Sequence, residues 1–237
     1  MLRNYQDKML RVPFDKDPRR WAILASGPSL TKEDAEAVRG LNVCVINSTH
    51  WLAPWADLLY ACDPHWWDWQ HQNPELKAKL DAFEGEKWTQ IEGKDINRQK
   101  DDLIAVNKYG LRYIKSLANP GLSSDPQFIH QGSNSGIQAI NLVIHRGAKE
   151  IILLGYDLSG SAEKPRWHGH HPNKVISNWD RWVPLYTQVA SDADRMGVKI
   201  INCSRNTALK CFPRMALTDA LSILSNDENR DHSRDGA

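Results

Sequence analysis

The sequence predicts an α/β fold: an open, mostly parallel sheet with helices on both faces and a variable inserted segment. Three observations carry this expectation. Short apolar runs that stop on glycine or a polar residue alternate with helical stretches, the pattern of strands joined by crossover helices. The 237 residues, 41% of them hydrophobic, suffice for one good core but not for two large domains. The polar residues that close the apolar runs would gather on one sheet edge, where ligands of such folds bind.

Residues 1–20 read as a polar arm or short leading helix carrying Arg3, Lys8, Arg11, Arg19 and Arg20. "WAILASG", Trp21 to Gly27, is a buried strand ended by glycine and proline. Ser29 then caps a helix over "LTKEDAEAVRG", with acidic residues in its early turns and Gly40 at its end. "LNVCVIN" is a second strand ending on Asn47, and "ADLLYACD" a third ending on Asp63. Asp63 caps the next helix, "HWWDWQHQ", with Pro64 in its first turn.

From 73 to 127 charge rises and periodicity weakens, so this stretch reads as a variable insert with one or two helices and a short strand or two. Regularity returns at Phe128. "QGSNSG", Gln131 to Gly136, heads an apolar helical run that ends at Gly147, and the strand from Ile151 to Leu154 stops on Gly155-Tyr156-Asp157. A polar loop, 159–174, is long enough to be an active-site loop. A helix from about Val175 to Met196, the strand "VKIINCS" and the helix "CFPRMALTDALSIL" complete a domain spanning 21–225. Residues 226–237 are charged and expected to be a disordered tail.

Composition excludes some functions. A formal net charge of +1 gives no strong signal for nucleic acid or an anionic membrane. No apolar run approaches the length of a membrane span, and the charged start predicts no secretory leader, so a cytoplasmic protein is expected. Cys44, Cys62, Cys203 and Cys211 lack metal-site spacing and read as reduced thiols, most of them in core runs.

The candidate site residues follow from the strand ends. In "SGPSL", Ser26, Gly27, Pro28 and Ser29 form a strand-to-helix turn whose backbone can approach a ligand beside free helix N–H groups, or a plain turn. It lacks the phosphate-loop and dinucleotide signatures. Asn134, Ser135 and Gly136 suit a ribose, carboxylate or phosphate, although one residue there would also serve as an ordinary N-cap. His168 and His170, with His171 beside them in "RWHGHHPN", offer a general base near neutral pH. Zinc is the lesser reading of these histidines, since no cysteine or carboxylate completes a tetrahedral set. Asp63 and His65 stand at a strand end. Trp66 and Trp69 share a helix face and read as core, whereas Trp67 points elsewhere and would stack on a base or sugar. Asp157 closes a strand on the same edge, either touching ligand or capping the next turn.

The order "ILASGPSL", "VINSTHW", "YACDPHW", "GSNSGIQAINLVIHRGAKEIILLGYDL" and "HGHHPN" resembles bacterial sialyltransferases that use CMP-sialic acid. It also resembles the surrounding group of Rossmann-like proteins, among them motility-accessory glycosylation factors and hydroxymethylpterin pyrophosphokinases. The likeness runs from about Trp21 to Leu217 and is specific in those short blocks. It implies a first nucleotide loop at Gly27, Pro28 and Ser29, and a strand-closing amide at Asn47 near phosphate and ribose. It implies nucleotide contacts at Asn134, Ser135 and Gly136, and His170 as base for the acceptor hydroxyl. Asp63 falls where those enzymes carry an asparagine. Ser26 replaces their asparagine before Gly-Pro-Ser, and the phosphate-steadying tyrosines are replaced by Ser159 and the neighbourhood of Lys164, Pro165 and Arg166. Arg166 or Lys164 would supply the missing charge.

The favoured expectation is a metal-independent glycosyltransferase that moves a sugar from a nucleotide-sugar donor, CMP-linked first, to an unidentified hydroxyl acceptor. It needs no cofactor, and a homo-oligomer is compatible with it. The alternative is pyrophosphoryl transfer from ATP to a pterin-like alcohol, with Mg²⁺ held by carboxylates such as Asp63 and Asp157. A third reading, from outside enzymes, is a nucleotide-binding accessory protein that has lost the chemistry.

Overall fold

The computed structural model describes residues 16–132, 134–160, 166–168 and 178–232, with 225–232 described by their backbone. Its eight strands are β1 (Arg20–Leu24), β2 (Asn42–Ile46), β3 (Leu58–Tyr60), β4 (Glu86–Glu92), β5 (Arg112–Leu117), β6 (Phe128–His130), β7 (Glu150–Leu154) and β8 (Lys199–Asn202). They pair in one sheet in the order β6-β5-β4-β3-β2-β1-β7-β8. Every pairing is parallel. The open α/β, Rossmann-like architecture expected from the alternation of runs is therefore the architecture of the chain.

The order reverses once. From β1 to β6 each strand adds at the same edge, and the chain then returns to lay β7 on the far side of β1. Crossovers of one hand running in opposite directions place their helices on opposite faces. One face accordingly carries α1 (Lys32–Ala37), α2 (Pro64–Gln72) and α3 (Pro74–Asp81), the other α5 (Ser135–His145) and α7 (Leu185–Arg195). The strands divide their side chains between these layers at period two. Trp21 and Ile23 pack with Ile137, Ile140, Tyr186 and Val189, while Ala22 and Leu24 pack with Ala35, Trp67 and Leu80. Strands buried on both faces explain why β1, β2 and β7 read as continuous apolar runs.

Several boundaries differ from expectation. Thr31, not Ser29, caps α1, in a reciprocal capping box with Asp34; Ser29 is engaged elsewhere. The 73–127 stretch holds α3, β4, α4 (Ile96–Tyr109) and β5, and both strands continue the main sheet beyond β3. Its periodicity is weak because this side of the sheet is only partly covered: β4 and β5 are half-buried along much of their length, and Ile96 and Ile104 of α4 are 59% and 65% exposed. The helix expected over 175–196 is split into α6 (Trp179–Trp182) and α7, because Pro184 has no N–H to continue the first ladder. The last helix, α8 (Leu217–His232), runs past residue 226, where the sequence predicts a disordered tail. No proline or glycine interrupts the sequence between those points, so nothing breaks the helix. No described helix is long and apolar enough to cross a membrane.

Candidate functional site

The strand order turns back between β1 and β7, so the connections leaving their carboxyl ends diverge and open a crevice there. A cavity of about 540 Å³ occupies that place, within the range of small-molecule sites. It is lined from β1 by Ala25, Ser26 and Gly27, from β2 by Asn47 and Ser48, and from β3 by Cys62 and Asp63. Asn134, Ser135 and Gly136 at the head of α5 line it too, as do Gly155, Tyr156 and Leu158 beyond β7. Among the described residues, Asn47 (φ 51°) and Leu158 (φ 44°) are the non-glycine positions with left-handed backbone. Both face this cavity, where backbone strain tends to concentrate in binding sites.

Glycine is required at Gly27. Its N–H donates to the Gly155 carbonyl at 2.9 Å, and a Cβ there would lie 2.3 Å from Asp157 Oδ1 and 2.4 Å from that carbonyl. The turn continues to Ser29, whose backbone N–H donates to Asp157 Oδ2 at 2.9 Å and whose hydroxyl donates to Oδ1 at 2.7 Å. Asp157 is 1% exposed. Burial raises its pKa, with the two Ser29 bonds pulling the other way. Neither Asp157, Ser29 nor Pro28 lines the cavity. Ser29 and Asp157 instead form a latch between two strand ends.

The head of α5 is built as densely. Asn134 caps the helix by accepting from the Gly136 N–H at 2.7 Å, and its same oxygen accepts from the Tyr186 hydroxyl at 3.0 Å. The Tyr156 hydroxyl donates to the Gly136 carbonyl at 3.1 Å. A Cβ on Gly136 would sit 2.5 Å from the Tyr186 hydroxyl, which fixes glycine there. The Ser135 hydroxyl lies 3.0 Å from the Cys62 sulfur, whose thiol is pushed up by burial.

Arg166 and His168 also line the cavity. Burial lowers the Arg166 pKa. Between them, Trp167 donates its backbone N–H to the Ser26 carbonyl at 3.2 Å and its indole N–H to Thr49 Oγ1 at 3.3 Å. Ser26 Oγ lies 3.2 Å from the same Thr49 hydroxyl. His170 lies outside the described residues. Asp63 caps α2 by accepting from the His65 N–H at 2.9 Å, and both residues line the cavity.

One aromatic expectation is reversed. Trp67 is 0% exposed and donates its indole N–H to the Ala61 carbonyl inside the core, so it has no face for a base or sugar. Trp66 lies in the core as expected, 5% exposed, and also contributes to the cavity wall. In a helix starting at Pro64 the sheet-facing position is Trp67, and Trp66 turns toward the strand ends. Trp179, Trp182 and Tyr186 line the cavity as well and were not singled out from sequence. Trp179 and Trp182 stand three apart on one face of α6, a spacing that also fits ordinary helix packing.

No family model matches the chain, and no curated protein matches it. Among solved structures it is similar to a short chain dehydrogenase from Mycobacterium smegmatis, over 90% of this chain and 89% of that one, at 12% identity and a TM-score of 0.22. A likeness at that TM-score bears on neither activity nor ligand.

Proposed function

We propose that the chain is a metal-independent glycosyltransferase that holds a nucleotide sugar, CMP-linked first, in the cavity between β1 and β7. The observation that supports this best is the mixture of groups around one cavity: a guanidinium at Arg166, imidazoles at His65 and His168, a glycine turn at Gly27, and indoles at Trp66, Trp179 and Trp182. Flat apolar rings suit a base or the C–H face of a sugar. Asn47, Asn134, Ser135 and Gly136 suit the ribose and phosphate.

In the proposed step a loop imidazole, His168 or His170, takes the proton of the acceptor hydroxyl. The acceptor oxygen forms its bond to the anomeric carbon as the bond to the donor phosphate breaks. The electron pair leaves on a phosphate oxygen, where Arg166 offsets the developing charge. The pyrophosphokinase reading is less well supported, since Asp157 is held by Ser29 and does not line the cavity where Asp63 stands.

Thermal stabilisation by CMP, UDP, GDP and ATP, each with and without Mg²⁺, tests the reading on the wild type and on Ser135→Trp. Stabilisation by a sugar-carrier nucleotide without metal, lost in the variant, is expected. Stabilisation by Mg·ATP alone would transfer the assignment to the pyrophosphokinase, and no shift with any nucleotide would leave a non-catalytic protein.

A further inference from the structure

The sequence places Trp51 in the short 3₁₀ turn Asn47–Trp51 after β2, and Trp167 more than a hundred positions later. The fold brings the Trp51 indole onto the His168 imidazole, against which the neighbouring Trp167 indole also packs. The ring centroids lie 5.2 Å apart for Trp51 and His168, with an interplanar angle of 61°. For Trp167 and His168 they are 5.1 Å and 82°. Trp51 and Trp167 also meet each other edge to face at 6.4 Å. Each indole is anchored in turn. Trp167 is tied to Ser26 and Thr49 by its two N–H groups, and the Trp51 ring carries the Lys79 ammonium at 4.9 Å and packs on Trp69 at 6.2 Å.

We propose that Trp51 and Trp167 form a clamp that holds the His168 imidazole in place at the cavity, so that a ligand meets this ring already oriented. Edge-to-face contacts of this kind hold aromatic rings in a preferred geometry. The physical gain is pre-organisation: a ring fixed before binding loses less freedom when the ligand arrives. The clamp also accounts for Thr49, which lines no part of the cavity yet takes the Trp167 indole N–H and faces Ser26. Trp51 and Trp167 are positioning residues in this scheme, and His168 is the group that touches ligand. The inference rests on the reading of this cavity as the nucleotide site.

The test is histidine-selective NMR on the full chain, with His168→Gln assigning the resonance. The His168 ring protons are expected to be displaced by the two indole ring currents. That displacement should be largely lost in Trp51→Leu, recovered in Trp51→Phe, and reduced in Trp167→Phe, which keeps a ring but loses the Thr49 bond. CMP, UDP and GDP are then titrated. The nucleotide that binds should move the His168 signal, and Trp51→Leu should weaken its binding about tenfold, the loss expected when a side chain must be immobilised on binding. A His168 signal at the position of a free histidine, unchanged by Trp51→Leu while nucleotide still binds, would overturn the clamp. Displaced ring protons with no response to any nucleotide would leave the clamp geometry intact and remove the nucleotide reading instead. Backbone spectra of each variant separate these outcomes from unfolding, and Trp51→Phe keeps the test valid should Trp51→Leu fail to fold.

Discussion

Ser29 and Asp157, 128 positions apart, are joined by two hydrogen bonds, one from the serine's backbone N–H and one from its hydroxyl. The pair fastens the turn after β1 to the end of β7 and so sets the spacing of the cavity's two sides. Replacing Asp157 by alanine leaves both donors without their acceptor inside the protein, at an expected cost of about 2 to 3 kcal/mol. Asp157→Asn should cost less, since its amide can accept from the Ser29 N–H and donate to the hydroxyl oxygen. The two variants also differ from wild type in pH response. Because burial raises the Asp157 pKa from the usual 3.8, the native state holds that proton more tightly than the unfolded chain. Its contribution is full below the unfolded value and declines as pH rises through the folded one. Urea midpoints measured across acidic to neutral pH should therefore show Asp157→Asn gaining on wild type as pH rises.

Gly27→Ala forces a methyl group against Asp157 Oδ1 and the Gly155 carbonyl. The expected loss is about 3 kcal/mol, at the upper end for overpacking. Removing the carboxylate in a double variant with Asp157→Ala should restore little, because the carbonyl remains 2.4 Å from the added carbon. Denaturation of the single and double variants would measure the coupling.

His50 is buried beside Trp51, Trp66 and Phe83, with Nδ1 2.9 Å from the Asn47 carbonyl. Burial lowers its pKa from 6.5 to about 4, so the native protein holds it neutral, with Nδ1–H donating. The unfolded chain binds the proton more readily. Stability is thus complete above about pH 6.5 and is lost on acidification toward pH 4, by about 3 kcal/mol from this group. In His50→Gln the corresponding slope between those pH values should disappear.

Two tryptophan substitutions should separate folding from binding. Trp67→Ala removes a fully buried ring and is expected to cost about 3 to 5 kcal/mol of stability. Trp182→Ala, at a half-buried position on the cavity wall, should change stability little and weaken nucleotide binding by about 1 to 3 kcal/mol if that ring stacks on a base. Calorimetric titration beside urea unfolding distinguishes the two effects.

The sheet was legible where strands are buried on both faces, as in "WAILASG" and "EIILLG", because a continuous apolar run this short, ended by glycine, suits a buried strand far better than a helix or a loop. It was less legible in β4 and β5, where half-exposed positions admit Lys87, Arg112 and Lys115 and break the apolar run. The cavity lies at the strand ends, the edge on which the sequence gathers its polar residues. Sequence alone puts Asp157 and Ser29 on the ligand edge but cannot reveal that they satisfy each other, since the partners lie in distant segments. Trp67 was misplaced for a related reason: adjacent residues on a helix diverge by about 100°, yet Trp66, as expected, and Trp67 both lie in the core. Trp179 and Trp182 gave a helix signal with nothing to tie it to the cavity, because α6 reaches it only through the fold.

The strand order has a consequence for how the molecule comes into being. Strands β1 to β6 each join the one before them, so pairing can keep pace with synthesis. β7 must instead return to β1, as in the contact of Arg20 with Glu150 across 130 positions. Non-local pairings of this kind form slowly. A nascent chain halted before β7 would hold six strands in order and one open flank at β1, with half a cavity and no Asp157 for Ser29 to grip. The cavity is thus among the last parts of the molecule to exist.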